Sequence, residues 1–195
     1  MEDQKNTLSV VKIGGGVIED PKALKHFCKA FSQISGPKIL VHGGGKSATA
    51  LAKKLKVPTK MIDGRRCTPK ETLEVITMTY AGSANKTIVA QLQSDHCNAL
   101  GLSGADGNSI SAVKRNSKPI DYGFVGDHLK VNTSLIETLL SHGICPVFCA
   151  ITHDGKGQLL NTNADTIAAE IAIAMATKYE THLWYCFEKP GVLVS

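Results

Sequence analysis

The chain has 195 residues, which is enough for one well-packed core or for one domain and part of a second. Hydrophobic residues make up 43% and charged residues 20%, which is ordinary for a soluble globular protein. The formal net charge is +5, but the basic residues are scattered and aromatic residues make up only 5%. This composition argues against a nucleic-acid-binding surface and fits a protein that handles small anions.

Cysteine usage and apolar stretches indicate the compartment. The six cysteines form no C-x-x-C pair, and most lie in or beside apolar runs, as buried free thiols do. The first residues, Met1–Lys5, lack the apolar core of a signal peptide. The longest apolar stretch, Ile167–Ala176, contains Glu170 and is too short to span a bilayer. We therefore expect a reduced, soluble, cytoplasmic protein with no membrane partner.

Strand-like runs alternate with helical patterns along the whole chain, which is the signature of βαβ units around a parallel sheet. The predicted class is therefore α/β. In chain order, the predicted elements are strand Val10–Ile13, a helix from Asp20-Pro21 to about Gly36, strand Lys38–His42, helix Lys46–Lys56, a helix from Pro69 to Tyr80, helix Ala84–His96 across Gly82-Ser83, strands Ala99–Leu102 and Ile110–Val113, a hairpin over Tyr122–Val131, helix Thr133–Ser141, strand Cys145–Ile151, a hairpin turn at Asp154–Gly157, helix Ala164–Thr177 and strand His182–Phe187.

Two triglycine turns stand out, each after an apolar strand and each near a lysine. They are Gly14–Gly16 with Lys12, and Gly43–Gly45 with Lys46. A strand followed by glycines and a helix can bring backbone N–H groups against a phosphate. Either turn alone could be a tight βα connection without a ligand. Together they favour two anionic centres held close to each other, as a phosphoryl donor and its acceptor must be.

Two familiar phosphate-binding motifs do not fit these turns. A P-loop ending at Gly45-Lys46-Ser47 needs glycine where Leu40 stands. A dinucleotide fingerprint starting at Gly14 needs a small residue where Glu19 stands. The predicted phosphate site therefore belongs to another architecture.

Three further positions carry candidate chemistry. Lys12 lies in an apolar strand, where a buried unpaired ammonium is costly, so we favour its projection into a site that offsets phosphoryl charge. The adjacent Arg65 and Arg66 form either a solvated turn or a clamp for a substrate carboxylate. Asn163 is typical of the N-cap of a helix, and Asp165, in the first helical turn, would complement the positive end of the helix dipole. No histidine pair has metal-ligand spacing, so no protein-held metal is predicted.

Taken in order, these segments resemble the amino acid kinase family, most closely its N-acetylglutamate kinase branch. The resemblance runs through nearly the whole chain. It is carried by Val11–Gly15, Val41–Gly45, Asp63–Thr68, Ala84–Lys86, Gly101–Gly107, Gly123–Gly126, Asn161–Asp165 and Pro190–Leu193.

The resemblance implies a fold, a reaction and an assembly. The fold is a three-layer αβα sandwich around a mainly parallel sheet, built as a homodimer. The reaction is the ATP-dependent phosphorylation of the γ-carboxylate of N-acetyl-L-glutamate, with Mg²⁺, in arginine biosynthesis. Residues 1–177 would form the acylglutamate-binding and dimerisation part. Residues 178–195 would begin the nucleotide-binding part, which we expect to be truncated here.

The resemblance also implies roles for individual residues. Lys12 would stabilise the transferring phosphoryl group, and Asp165 would orient the catalytic lysines, of which Lys12 is one. Arg66 would hold the α-carboxylate of the acceptor, Asn161 its N-acyl end, and Arg65 would lie near the acyl group. Backbone contacts to phosphates or substrate would come from Gly14, Gly15, Gly44 and Gly45, and the nucleotide site would begin with Glu188, Gly191 and Leu193.

Two departures from the family pattern matter. Phe187–Gly191 replaces the usual Thr-Asp-Val-Pro-Gly, so contacts on the adenosine side are expected to differ. Arg65 replaces a leucine near the acyl group, which makes N-succinyl-L-glutamate an alternative acceptor. The competing hypotheses are a glutamate, aspartate or carbamate kinase of the same family, and a non-catalytic amino-acid-binding protein.

Overall fold

The computed structural model describes residues 6–187, so the predicted positions Glu188, Gly191 and Leu193 lie outside the described residues. The strands are β1 (Thr7–Ile13), β2 (Lys38–His42), β3 (Met61–Ile62), β4 (Arg65–Arg66), β5 (Ala99–Leu102), β6 (Ile110–Lys114), β7 (Gly126–Val131), β8 (Cys145–Cys149), β9 (Ile151–His153), β10 (Leu159–Asn161) and β11 (Glu180–Cys186). The α-helices are α1 (Gly15–Glu19), α2 (Pro21–Ser32), α3 (Gly45–Lys54), α4 (Lys70–Thr77), α5 (Asn85–Ser94), α6 (Thr133–Ser141) and α7 (Ala164–Met175).

The central sheet has five parallel strands in the order β11-β1-β2-β8-β5. Strand β1 pairs with β2 in a register that sets Lys12 beside Val41 and Ile13 beside His42. Because parallel strands end at the same edge of a sheet, the turns after β1 and β2 are neighbours. The two glycine turns predicted to hold anionic centres therefore lie side by side.

Side chains of β1 alternate between two cores, one on each face of the sheet. Leu8 and Val10 join a core with residues of α4, α6 and α7, whereas Val11 and Ile13 join a core with residues of α2 and α5. This alternation follows from the two-residue period of a strand and explains why the strand is apolar on both faces. The result is the expected mixed α/β architecture, with helices covering a mainly parallel sheet.

The helix predicted to break at Gly82-Ser83 continues without a break. A π-helical segment, Met78–Ala84, joins α4 directly to α5. The wider π turn accommodates the small residues Gly82 and Ser83 instead of ending the helix there. The prediction of two separate helices was therefore wrong in this region.

Two strand predictions also need correction. The expected hairpin over Tyr122–Val131 is absent from the described residues, since β7 pairs with the earlier strand β6. The expected single strand Cys145–Ile151 is two strands, because the chain leaves the central sheet at Ala150 and enters a smaller sheet of order β10-β9-β6-β7. An uninterrupted apolar run cannot show this change, because both strands are buried.

The cysteine prediction is confirmed: all six thiols are free, five are buried and Cys186 is half-buried. Within residues 6–187, no helix has both the length and the apolar character that crossing a bilayer would need.

Candidate active site

A cavity of about 400 Å³ lies at the edge of the central sheet where β1 and β2 end. It brings together residues that are far apart in the sequence. Of the predicted site residues, those that line it are Lys12, Gly15, Gly44, Gly45, Arg65, Arg66, Asn161 and Asp165. The structure therefore places the cations, the glycine turns and the Asn161–Asp165 segment around one space.

Lys12 and Asp165 form an ion pair at this cavity. The Lys12 Nζ lies 2.8 Å from the Asp165 Oδ1, and the two side chains are 17% and 52% exposed. Lys12 extends from the end of β1 and Asp165 from the first turn of α7, so two elements hold the pair. The arrangement satisfies the ammonium in a largely buried position and leaves a cation facing the cavity.

The N-terminus of α7 has the helix cap that was predicted at Asn163. The Asn163 side chain caps the helix by accepting a hydrogen bond from the Asp165 N–H at 2.6 Å. Asp165 itself does more than complement the helix dipole, since its carboxylate pairs with Lys12. The preceding Asn161 donates from Nδ2 to the Thr68 hydroxyl at 3.0 Å, which anchors its amide.

The two glycine turns present different backbone groups. The Gly14 N–H donates to the Cys186 carbonyl at 2.9 Å, so that donor is already used. Gly15 begins α1 and lines the cavity. Gly44 has φ +159°, and a Cβ there would lie 3.0 Å from Cδ1 of the Tyr80 ring. Glycine at position 44 therefore allows the backbone to pass directly beside Tyr80.

Arg66 is held over the second glycine turn. Its Nη2 donates to the Gly45 carbonyl at 2.9 Å and to the Thr49 hydroxyl at 2.8 Å. A guanidinium has five N–H groups, so three on Nε and Nη1 are left by these two bonds. The half-buried Arg66 is thus a preoriented cation on the cavity wall, as a carboxylate site needs.

Arg65 points to a different part of the wall. It is exposed, and within residues 6–187 it has no carboxylate within 4 Å, so the pairing of Arg65 with the nearby Asp63 is not observed. It lines both the main cavity and a neighbouring cavity of about 780 Å³. Lys114, Arg115, Lys118 and the acidic Asp127 also line that second cavity, in which basic residues therefore outnumber acidic ones.

Sequence reasoning missed two groups of cavity residues. Arg115 and Asp127 form a bidentate ion pair, with Nε–Oδ2 at 2.6 Å and Nη2–Oδ1 at 2.7 Å. These hydrogen bonds lower the pKa of Asp127, and the nearby charge of Arg65 acts in the same direction. The sequence did not bring these two residues together, because the predicted hairpin over Tyr122–Val131 concealed the pairing of β6 with β7. Tyr80 also lines the cavity, but the sequence held no signal of this, because Tyr80 falls within a helical pattern.

A fully buried histidine lies directly behind the second glycine turn. His42 Nδ1 is 2.8 Å from the Gly43 carbonyl, and His42 Nε2 is 3.0 Å from Asn85 Nδ2. A carbonyl can only accept and an amide NH₂ can only donate, so His42 is neutral with its proton on Nδ1. Burial lowers the pKa of His42 to about 4, opposed by the Gly43 hydrogen bond and assisted by the Lys86 charge.

We expect this histidine to make the fold acid-sensitive. Its unfolded pKa is near 6.5, so between pH 6.5 and 4 the unfolded chain binds a proton that the native state does not. Stability is therefore complete above about pH 6.5 and falls as the pH drops, by on the order of 3 kcal/mol over the window. Urea unfolding at pH 7, 5.5 and 4.5 measures this loss. His42→Asn is the control, and an equal slope in both proteins would contradict the assignment.

Within the described part of the chain, no group of three or more histidine, cysteine, aspartate or glutamate side chains is arranged to hold a metal ion.

The chain matches the amino acid kinase family over residues 7–194. It is 53% identical to an acetylglutamate kinase of Phocaeicola vulgatus over 189 residues, which is 97% of this chain and 74% of that protein. It is 52% identical to an acetylglutamate kinase of Cytophaga hutchinsonii, covering 95% of this chain and 71% of that protein.

A solved structure shares the fold at lower identity. N-acetylglutamate synthase from Neisseria gonorrhoeae, complexed with coenzyme A and N-acetyl-glutamate, superposes with a TM-score of 0.79 at 21% identity, covering 97% of this chain and 43% of that one. The family match, the sequence similarity and the shared fold each extend over nearly the whole chain, and the chain belongs to the amino acid kinase family.

Proposed function

We propose that this protein is a kinase that transfers the γ-phosphoryl group of ATP to the γ-carboxylate of N-acetyl-L-glutamate, in arginine biosynthesis. The observation that carries this proposal is the single cavity in which Lys12, paired with Asp165, and Arg66, held over Gly45, both take part. Sequence identities of 53% and 52% to two acetylglutamate kinases, over nearly the whole chain, support the choice of acceptor.

Lys12 acts on the phosphoryl group in transit. A γ-carboxylate oxygen of the acceptor attacks the γ-phosphorus of ATP, the bond to the β-phosphate oxygen breaks, and ADP leaves without a covalent enzyme intermediate. Negative charge spreads over the equatorial phosphoryl oxygens, where a fixed cation is most effective. Asp165 holds the Lys12 ammonium in place. Backbone N–H groups of Gly15, Gly44 and Gly45 add further donors.

Arg66 and Asn161 position the acceptor. The remaining guanidinium N–H groups of Arg66 bind the α-carboxylate through charge-assisted hydrogen bonds. Asn161, anchored on Thr68, contacts the N-acyl end. Holding both ends of the acceptor brings its γ-carboxylate towards Lys12, and such orientation lowers the barrier to a two-substrate reaction.

ATP and Mg²⁺ fit the chemistry of this cavity. Mg²⁺ typically binds one or two carboxylates together with substrate phosphates, and it neutralises developing phosphate charge. Two carboxylates line the cavity among residues 6–187: Asp127, which is held by Arg115 and 34% exposed, and Asp165, which is 52% exposed. The more exposed Asp165 would be the residue to contact such an ion. Glu188, Gly191 and Leu193 are proposed contacts of the nucleotide. Gly14 would support the turn rather than donate its N–H, which Cys186 occupies.

The remaining proposals concern assembly and organisation. We propose a cytoplasmic homodimer in which residues 1–177 provide the acceptor site and residues 178–195 begin the nucleotide site. Family membership supports both proposals. Strand β11, in the second part, pairs along the full length of β1, so the two parts share one sheet. Light scattering coupled to size-exclusion chromatography measures the oligomeric state.

A coupled ADP-release assay tests the proposed reaction. The panel contains N-acetyl-L-glutamate, L-glutamate, L-aspartate and carbamate, each with MgATP. Turnover with the N-acylated acceptor alone is the expected result. Turnover with a free amino acid or carbamate would assign the chain to another kinase activity. Binding of N-acetylglutamate without ADP release would favour a non-catalytic amino-acid-binding protein.

N-Succinyl-L-glutamate is a second candidate acceptor, favoured by the position of Arg65. This arginine lines both cavities and has no carboxylate within 4 Å among residues 6–187. The acetyl methyl group cannot accept a hydrogen bond from a guanidinium, whereas a succinyl carboxylate can accept a charge-assisted hydrogen bond. Arg115 is already paired with Asp127, and Lys114 and Lys118 line only the second cavity, whereas Arg65 lines both.

Arg65→Leu distinguishes the two acceptors. If the succinyl group contacts Arg65, we expect kcat/KM for N-succinylglutamate to fall about 10- to 100-fold, because a charge-assisted hydrogen bond contributes roughly 1.5–3 kcal/mol. The value for N-acetylglutamate should change little. Lys60→Leu, which removes an exposed cation outside both cavities, is the control. An unchanged preference for the acetyl compound in wild type and Arg65→Leu would exclude the succinyl hypothesis.

A further inference from the structure

A chain of hydrogen bonds runs from the surface to the back of the second glycine turn. Exposed Lys86 donates to Asn85 Oδ1 at 3.2 Å, and Asn85 Nδ2 donates to the Val147 carbonyl at 2.9 Å and to His42 Nε2. His42 Nδ1 then donates to the Gly43 carbonyl. We propose that His42 and Asn85 are positioning residues that set the direction of the Gly44 N–H, a role that rests on the kinase activity proposed above.

The direction follows from the geometry of the peptide unit. A trans peptide is planar, so the Gly43 carbonyl and the Gly44 N–H point in opposite directions. His42 binds that carbonyl from the buried side of the turn. The Gly44 N–H is therefore directed towards the cavity that Gly44 lines. Within residues 6–187 this N–H donates to no other group, so it is free for an anion.

The histidine can hold only this arrangement because Asn85 fixes its tautomer. Asn85 is 1% exposed, and both hydrogens of its Nδ2 are used by acceptors, the Val147 carbonyl oxygen and His42 Nε2. An Nε2–H tautomer would set two donors against each other in a buried site and would leave the Gly43 carbonyl without its partner. The network is satisfied in one state only, which makes the turn rigid.

A glycine in another strand supports the same assignment. A Cβ at Gly101, on β5, would lie 1.9 Å from Asn85 Oδ1 and 2.8 Å from Lys86 Nζ. Glycine at that position therefore leaves the space that the Asn85 amide occupies. The Ala84–Lys86 and Gly101–Gly107 segments, to which no role was assigned from the sequence, thus meet at this network.

The π-helical segment explains why one helix can hold the turn from two directions. Tyr80, within Met78–Ala84, packs against Gly44, and Asn85, the first residue of α5, reaches His42. The extra residue in a π turn rotates the later part of the helix relative to the earlier part. The second glycine turn is therefore held by two contacts, the Tyr80 ring against Gly44 and the Asn85 amide through His42.

Two substitutions of His42 separate positioning from packing. An asparagine amide reaches the position of Nδ1 and can still donate to the Gly43 carbonyl, whereas a glutamine amide reaches the position of Nε2. We expect kcat with N-acetylglutamate and MgATP to fall less than about threefold in His42→Asn and about 10- to 100-fold in His42→Gln. Asparagine leaves the larger cavity, so unfolding in urea should rank the two variants in the opposite order.

Thr79→Val is the matched control, because Thr79 is buried in the same helix and its hydroxyl donates only to the Val75 carbonyl one turn earlier. Its kcat should stay within about twofold of wild type. Equal losses in the two His42 variants, or a smaller loss in His42→Gln, would overturn the proposal and leave His42 as a packing residue.

Nuclear magnetic resonance provides a test that does not need turnover. In ¹⁵N spectra of the full chain, the His42 proton should remain on Nδ1 from pH 6 to pH 8. The Gly44 amide resonance should move in His42→Gln and stay near its wild-type position in His42→Asn. A proton on Nε2 would refute the positioning role even if the kinase assay succeeds. Absence of turnover in wild type with these NMR results would instead refute the proposed reaction alone.

Discussion

Lys12→Ala is expected to lower kcat by about a hundredfold or more, while the KM values for ATP and N-acetylglutamate change by a few-fold at most. Lys12 acts mainly on charge that develops during phosphoryl transfer, and loss of such a group typically costs on the order of 3 kcal/mol of transition-state stabilisation. Its ammonium lies 2.8 Å from the Asp165 carboxylate on the cavity wall. Steady-state kinetics with each substrate varied in turn measures both parameters.

Asp165→Asn is the companion variant for this prediction. It keeps the shape of the side chain but removes the charge that holds Lys12, so kcat should again fall much more than substrate affinity. Because the two side chains are in direct contact, the double variant should lose much less than the product of the single losses. Lys53→Ala, which removes an exposed lysine of α3 outside the cavity, is the control. Wild-type kcat in Lys12→Ala or in Asp165→Asn would remove that residue from catalysis.

Arg66→Lys is expected to raise the KM for N-acetylglutamate about 10- to 100-fold and to leave the KM for ATP nearly unchanged. Arg66 uses two N–H groups to hold itself on Gly45 and Thr49 and also interacts with the Tyr80 hydroxyl, so at most three N–H groups remain for the acceptor carboxylate. A lysine has three donors in total, so it cannot both anchor itself there and bind the carboxylate through two bonds. Hydrogen bonds to charged groups contribute roughly 1.5–3 kcal/mol, which corresponds to the expected range.

Thr49→Val tests the anchoring separately from the charge. It removes one of the two acceptors of Arg66 Nη2 but leaves the guanidinium in the protein. A smaller rise in the acceptor KM, of about two- to fivefold, is expected, because the guanidinium keeps its charge and its hydrogen bond to the Gly45 carbonyl. If Arg66→Lys raised the KM for ATP instead, this turn would belong to the nucleotide site and the orientation of both substrates would have to be reversed.

Much of the fold could be predicted because it depends on local patterns. Strand β2 and helix α6 begin and end at the predicted residues, Lys38–His42 and Thr133–Ser141, since an apolar run and clear start and stop residues mark them. The helix across Gly82-Ser83 and the strand across Ala150 were predicted wrongly. In both cases the local signal was overridden by packing, which a single sequence does not show.

By itself, the sequence determined the class of the fold and the residue types of the site: two glycine turns, a lysine at the end of a strand and paired arginines. Only the tertiary structure decided which of these face the same cavity. Parallel pairing of β1 with β2 sets the two turns side by side, and packing of α7 brings Asp165 to Lys12, although the two are far apart in the chain. The structure also separates Arg66, anchored on Gly45, from Arg65, exposed between two cavities. Adjacent residues of a strand point to opposite sides, so identical side chains at neighbouring positions meet different surroundings.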